Sequence, residues 1–166
     1  RPRAVPLGDG RWTIGYGHTK SAREGLKITR AEAVGVLRAY DLPPIELFIR
    51  RSILSPIHQN AFDALVSFAF NLGLEAFRTS DVLETFNTGD HLRTADLMNG
   101  WRQARINGRL VTVDALVRRR AAERALFLEH PGGRPIAPSP VIRPERAGVL
   151  PVADEEVVDA PLDAQP

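Results

Sequence analysis

The stretch that decides the fold is Gly10-Arg11-Trp12-Thr13-Ile14-Gly15-Tyr16-Gly17-His18-Thr19. Within it, Trp12, Ile14 and Tyr16 alternate with small or polar residues, which is the two-residue periodicity of a β-strand. The triplet Gly8-Asp9-Gly10 lies at its start and supplies the positive φ angles that a tight hairpin needs. The sequence therefore predicts a small β-hairpin close to the N terminus.

Two glycines leave one face of this predicted strand without side chains. Gly15 and Gly17 are two positions apart, so they lie on the same face. A bare face allows close approach to the backbone, and either a packed helix or a ligand can use it. Both alternatives stay open on the sequence alone.

The region after the hairpin carries clear helix signals. Thr29 and Glu32 form a capping box, in which the threonine caps the helix start and the glutamate reaches back to it. We predict a helix from there through Tyr40, ending before Pro43-Pro44 because proline interrupts a helix. A short helix over residues 45–51 is expected next.

The most hydrophobic helix is predicted to begin at Ser55-Pro56, with serine as the N-cap and proline at the first helical position. It ends at Gly73, and apolar residues surround its second half, which is typical of a helix buried in the middle of a domain. Further helices are predicted over residues 80–87, 90–105 and 112–129, with Asn107-Gly108 as a turn. A small sheet followed by a helical bundle defines an α+β fold.

Composition divides the chain at residue 130. Residues 131–166 hold eight of the 13 prolines, together with three arginines and six acidic residues, so this tail carries −3 and residues 1–130 carry +5 of the overall +2. We predict one domain over residues 1–130 and a proline-rich, acidic, disordered tail or linker over 131–166. The chain has no cysteine, hence no disulfide or cysteine-ligated metal, and no apolar run of the roughly 20 residues that a membrane span needs.

Three blocks of sequence, in this order, resemble the phage-type lysozymes of glycoside hydrolase family 24, which cleave the glycan strand of peptidoglycan. The blocks are residues 13–19 (TIGYGHT), 59–73 (QNAFDALVSFAFNLG) and 116–124 (LVRRRAAER). The resemblance covers about residues 3–129 and implies a lysozyme-like fold, with the hairpin forming one lip of an active-site cleft.

The resemblance also implies where catalytic groups belong. Thr13 matches the family threonine that helps to position the attacking water. The general-acid glutamate belongs roughly fifteen positions upstream of it, which is before residue 1. The family aspartate belongs about six positions before the threonine, where this chain has Leu7. Asp9 is nearby and is a weak catalytic candidate, if a shifted loop brings it to the cleft; otherwise it is a plain turn residue. We therefore expect the chain to be catalytically impaired.

Three further residues are candidates for substrate binding by the same resemblance. Phe70 and Asn71 match a pair beside the family's cleft, although Phe70 also continues an apolar helix and Asn71 also suits a helix C-terminus. Ser80 matches a cleft-lining position and is also a plausible N-cap. His18 is expected to make a buried structural hydrogen bond or ion pair.

Other kinds of site have less support. The basic residues between Arg118 and Arg124 are expected to form a solvated or acid-paired surface. The remaining histidines (His58, His91 and His130) have no ligand spacing, so we predict neither a metal nor a cofactor. A nucleic-acid partner is not expected either, because the excess charge is small and no recognised binding motif is present.

Two functions from different classes stay open. The variant hairpin, with Leu7, resembles the lysozyme-like domains of polar developmental regulators in stalked bacteria. That resemblance implies a cytoplasmic interaction and oligomerisation scaffold, with a polar scaffold protein and a sensor histidine kinase as partners, anchored through membrane segments outside this chain. The alternative is an active endolysin that inverts at the β-1,4 bond of peptidoglycan, for which Thr13, Phe70 and Asn71 argue.

Overall fold

A computed structural model describes residues 1–130, Gly132 and the backbone of Val149–Leu150. The described residues divide into two compact units, the first over residues 1–43 and the second from residue 44 onward. Apart from Gly132 and the strand Val149–Leu150, the predicted disordered tail over residues 131–166 lies outside the described residues.

The predicted N-terminal hairpin is present in the first unit. Strands β1 (Val5–Pro6) and β2 (Trp12–Thr13) pair antiparallel, with Val5 opposite Thr13. The Leu7 amide donates to the Arg11 carbonyl at 2.8 Å and closes the turn. Ile14 and His18 form a second, isolated antiparallel bridge, in which each amide donates to the other carbonyl at 3.0 Å. The Asp-Gly turn signal was therefore interpreted correctly.

Helix α1 (Arg30–Val36) begins at the predicted capping box, because the Thr29 side chain accepts from the Glu32 amide and the Glu32 carboxylate accepts from the Thr29 amide. This helix is what approaches the bare face of the hairpin. A Cβ on Gly15 would lie only 3.0 Å from the Cβ of Ala33. Gly15 also has a φ of +65°, so both the space and the backbone require glycine there.

The predicted helix end before Pro43-Pro44 was wrong. Residues Leu37–Asp41 form a π-helical turn, and α2 (Leu42–Ser52) follows without a break. Both prolines fall in the first turn of α2, where the missing N–H groups would have no partner within the helix. The wider π turn allows this change of register, since the Leu42 amide donates to the Leu37 carbonyl.

The second unit is built around α3 (Gln59–Leu72), which packs on α7 (Asp114–Leu128). Along the chain, α3 and α7 are separated by α4 (Leu74–Arg78), α5 (Asp81–Asn87) and α6 (His91–Met98). The predicted burial of the central helix is confirmed, with Leu65, Phe68 and Ala69 fully buried. Its predicted start at Ser55 was wrong, because His58 is the N-cap and the Ser55 hydroxyl donates to the Phe86 carbonyl instead.

The predicted helix over residues 90–105 ends early, at Met98. Residues Gln103–Ile106 form β3, which pairs antiparallel with β4 (Arg109–Thr112). Asn107 and Gly108 both have positive φ, +49° and +74°, so the predicted turn is the two-residue turn of a β-hairpin. On its other side β3 pairs in parallel with β5 (Val149–Leu150).

Candidate active-site residues

The hairpin of the first unit carries the two positions at which the resemblance predicts water-positioning groups. Thr13 ends β2 and is half-buried. Leu7 follows β1 directly and is also half-buried, so an apolar side chain stands where the resemblance places an aspartate. Leucine has no group that can accept a hydrogen bond from water.

Asp9 lies at the tip of this hairpin and its carboxylate is already engaged. One oxygen accepts from the backbone amide of Arg11 at 3.0 Å, and the other accepts from the Arg11 Nε at 2.7 Å. The side-chain hydrogen bond from Arg11 lowers the pKa of Asp9, with a second contribution from the backbone amide. Asp9 therefore stays ionised and is held in the turn by Arg11, while its catalytic role stays a prediction.

His18 holds the C-terminal side of the hairpin stretch. Its Nε2 accepts from the Ser21 amide at 3.2 Å, so the ring proton sits on Nδ1 and is donated to Asp41 Oδ1 at 2.8 Å. The side chain is buried. The expected structural role of His18 is thus confirmed.

In the second unit, Phe70 and Asn71 lie in the last turn of α3, and both are half-buried. The chain leaves the helix two residues later, at Gly73, which has a φ of +87°. Asn71 Oδ1 accepts from Arg120 Nη2. The candidate asparagine is therefore joined to an arginine of α7 that the sequence predicted only as part of a basic surface.

Arg120 is the largest fully buried side chain in the described part of the chain. Its Nε donates to the Trp101 carbonyl at 2.8 Å, its Nη1 donates to Glu123, and its guanidinium lies 4.8 Å from the centre of the Phe68 ring. Burial lowers the pKa of Arg120 to about 10, while Glu123 acts in the opposite direction. The group still carries its charge at neutral pH.

Glu123 shares its charge between two arginines. Its second oxygen accepts from the Ser67 hydroxyl at 2.7 Å and from Arg119 Nε at 3.0 Å. Acid pairing is confirmed for Arg119, Arg120 and Arg124, but a surface position is wrong for Arg120 and Arg124, which are buried because α7 turns them towards its neighbours. Arg124 pairs with Asp96 of α6 at 2.8 Å. The available signal was the spacing of Arg120 and Glu123, three residues apart on one helix.

Ser80 is buried and acts as the N-cap of α5. Its hydroxyl donates to the Phe77 carbonyl at 2.7 Å and accepts from the Leu83 amide at 3.3 Å. Ser80 is therefore an N-cap, as one of its two sequence-based interpretations predicts. Its family role in substrate binding stays a prediction.

The other three histidines each lie at the end of a helix in the second unit. His58 caps α3, His91 begins α6, and His130 follows α7. The pKa of His58 is lowered, chiefly by desolvation and then by the charges of His130 and His91. Among residues 1–130, no three histidine or acidic side chains are arranged to hold a metal ion.

An N-terminal hairpin packed on a capped helix, followed by a buried central helix and an arginine-rich partner helix, defines a lysozyme-like α+β muramidase domain. The chain belongs to the phage lysozyme family, which it matches over residues 1–123. It is 38% identical over 127 residues to the endolysin of Acyrthosiphon pisum secondary endosymbiont phage 1, covering 76% of this chain and 86% of that protein.

Two further comparisons bear on the domain. The endolysin of Bacillus phage PZA is 36% identical over 125 residues, which cover 75% of this chain and 46% of the phage protein, so the chain spans about half of that relative. The solved muramidase domain of SpmX from Asticaccaulis excentricus is 49% identical, with a TM-score of 0.73, covering 77% of this chain and 86% of that domain. None of the helices in the described residues has the length and apolar character to cross a membrane.

Proposed function

We propose that this lysozyme-like domain has lost efficient cleavage of peptidoglycan and serves as an interaction module whose cleft still binds glycan. The observation that carries the proposal is Leu7. A leucine at the water-positioning place cannot hold the attacking water, and an inverting glycosidase needs a base or a positioned water opposite its acid.

Asp9 does not replace the missing aspartate. Both of its carboxylate oxygens accept hydrogen bonds from Arg11, and turning towards a water would break them. These contacts lower the pKa of Asp9, so the ionised form of the carboxylate is favoured. Thr13 alone would then face the water, and a hydroxyl is a weak base.

We base the interaction role on the variant hairpin, because its resemblance to the lysozyme-like domains of polar developmental regulators implies such a role. In this proposal the domain works in the cytoplasm, forms homo-oligomers, and binds a polar scaffold protein and a sensor histidine kinase. Glycan binding through Phe70, Asn71 and Ser80 is the part inherited from the family.

The test is hydrolysis of purified peptidoglycan, measured as the release of reducing ends. It uses a version of the protein extended at its N terminus to include the glutamate that the family motif places before residue 1. We expect no hydrolysis by the natural sequence and a gain of about 10²-fold or more on Leu7→Asp. Leu54→Asp, at a leucine that is 80% exposed, is the matched control and should gain nothing.

An active muramidase is the second candidate, and the retained Thr13, Phe70 and Asn71 favour it. Robust hydrolysis by the natural extended sequence would support this candidate and overturn the proposed loss of cleavage. Hydrolysis by neither the natural sequence nor Leu7→Asp would show that Leu7 is not what limits the reaction, and partner capture would then decide the interaction role.

A further inference from the structure

We propose that Arg120 is a positioning residue which fixes the side-chain amide of Asn71, so that position 71 presents its NH₂ group, a hydrogen-bond donor, to a ligand. Such a position selects an acceptor oxygen, and the acetamido carbonyl of an N-acetylated amino sugar is the acceptor class that fits. The choice of a sugar rests on the proposed glycan binding, whereas the fixed orientation of the amide does not.

The orientation follows from what each group can do. A guanidinium has five N–H donors and no acceptor, so only the oxygen of the Asn71 amide can face it. Arg120 Nη2 donates to Asn71 Oδ1, and the Nδ2 group then takes the other terminal position of the planar amide. The ambiguity between oxygen and nitrogen that usually attends an asparagine is thus removed by chemistry.

Arg120 has no freedom to release the amide. Its Nε is bound to the Trp101 carbonyl, its Nη1 is bound to Glu123, and Phe68 covers the face of the guanidinium. Glu123 is itself held by Ser67 and Arg119. Arg120 and Glu123 are both buried, so any rotation of the guanidinium would leave a buried charge without its partners.

Asn71 differs from its buried partner in keeping partial exposure at the end of α3. No residue of the described part of the chain accepts a hydrogen bond from its Nδ2 group. Because its oxygen faces Arg120 and its NH₂ group is available, this amide donates to a ligand oxygen and disfavours a ligand ammonium group. The fixed amide therefore predicts a preference for a ligand oxygen over a ligand ammonium group. A bond between Arg120 and Asn71 that only stabilised the fold would not produce this preference.

The experiment measures binding of an N-acetylglucosamine tetramer and of its de-N-acetylated counterpart, at a pH where the latter carries ammonium groups. The natural protein should bind the acetylated sugar more tightly. Asn71→Asp keeps an oxygen for Arg120 and replaces the outward NH₂ with a charged acceptor. We expect the ratio of the two affinities to fall by about tenfold or more, because the hydrogen bond to the acetamido oxygen is lost and the new carboxylate attracts the ammonium group of the de-N-acetylated sugar instead.

Asn60→Asp is the matched control. Asn60 lies on the same helix, and its Nδ2 donates to the Glu129 carbonyl at 3.0 Å, so the substitution removes a structural bond away from position 71. It should lower stability without changing the affinity ratio. Asn71→Asp should keep the stability of the natural protein, because an aspartate suits Arg120 at least as well.

A second measurement needs no ligand. In the natural protein, side-chain hydrogen exchange followed by NMR should show slow exchange for Arg120 Nη2 and fast exchange for Asn71 Nδ2. Fast exchange at Arg120, or an unchanged affinity ratio in Asn71→Asp, would overturn the positioning role while leaving glycan binding intact. A natural protein that binds neither sugar would overturn the proposed glycan binding and the choice of ligand, and the exchange pattern alone would then decide the orientation.

Discussion

His18 donates from Nδ1 to Asp41 Oδ1 across 2.8 Å and so joins the hairpin stretch to the π-helical turn of the first unit. Both side chains are largely buried, with 7% and 14% of their surface exposed. Asp41 Oδ2 is buried as well and has no partner among the described residues. The carboxylate therefore depends on His18 for its compensation.

Replacing His18 with Phe should destabilise the protein by about 1–3 kcal/mol, because it leaves a buried carboxylate without its donor. The measurement is the free energy of unfolding in urea. Adding Asp41→Val to His18→Phe should recover part of the loss, since the orphaned charge is then removed as well. Additive losses from the two substitutions would show that the pair is not coupled.

Gly15→Ala should cost more than Gly10→Ala. Both glycines have positive φ, +65° and +83°, so both substitutions pay for a left-handed backbone. At position 15 the new Cβ would lie 3.0 Å from the Cβ of Ala33. At position 10 the new Cβ would have no atom within 4 Å. We expect an additional loss of about 1–3 kcal/mol for Gly15→Ala from overpacking. Equal losses in thermal or urea unfolding would contradict the close approach of α1.

Glu123→Gln should be among the most destabilising single changes in the second unit, at about 3–5 kcal/mol, because it leaves the buried Arg120 without a counter-charge. Glu75→Gln is the comparison, since Glu75 pairs with Arg78 on the surface with 85% of its side chain exposed. Exposed pairs contribute about 0–1 kcal/mol. A small loss at Glu123 would mean that water reaches the guanidinium.

Local signals in the sequence were sufficient where a few neighbouring residues determine the structure. The capping box of Thr29 and Glu32 and the turn at Gly8-Asp9-Gly10 are of this kind, because their hydrogen bonds close within four residues. The sequence predicts the turn at Asn107-Gly108, but it predicts helix over most of β3 and assigns no element to residues 109–111 of β4. The two positive φ angles there determine a hairpin, and β3 then gains β5 as a distant partner.

Tertiary contacts decided what the sequence could not. Ser55 looked like a cap, yet its hydroxyl donates to Phe86 on α5, and His58 caps α3 instead. The site shows the same division. Thr13, Phe70 and Asn71 came from motif order, whereas Arg120 emerged only when α7 packed on α3 and brought its guanidinium to Asn71.

The last prediction concerns acid stability. The pKa of His58 is lowered in the folded protein, first by desolvation and then by His130 and His91, from an ordinary value of 6.5. Below pH 6.5 the unfolded chain therefore binds more protons at His58 than the folded protein does. The stability contributed by neutral His58 is complete above pH 6.5 and is lost as the pH falls from 6.5 through the lower pKa of the folded state. Protonation of Nδ1 also removes the acceptor that caps the Ala61 amide.

His58→Asn keeps a capping oxygen and cannot titrate, so its free energy of unfolding should fall less steeply below pH 6.5 than that of the natural protein. Parallel pH profiles for the two proteins, measured by urea unfolding, would show that His58 does not contribute to the acid sensitivity.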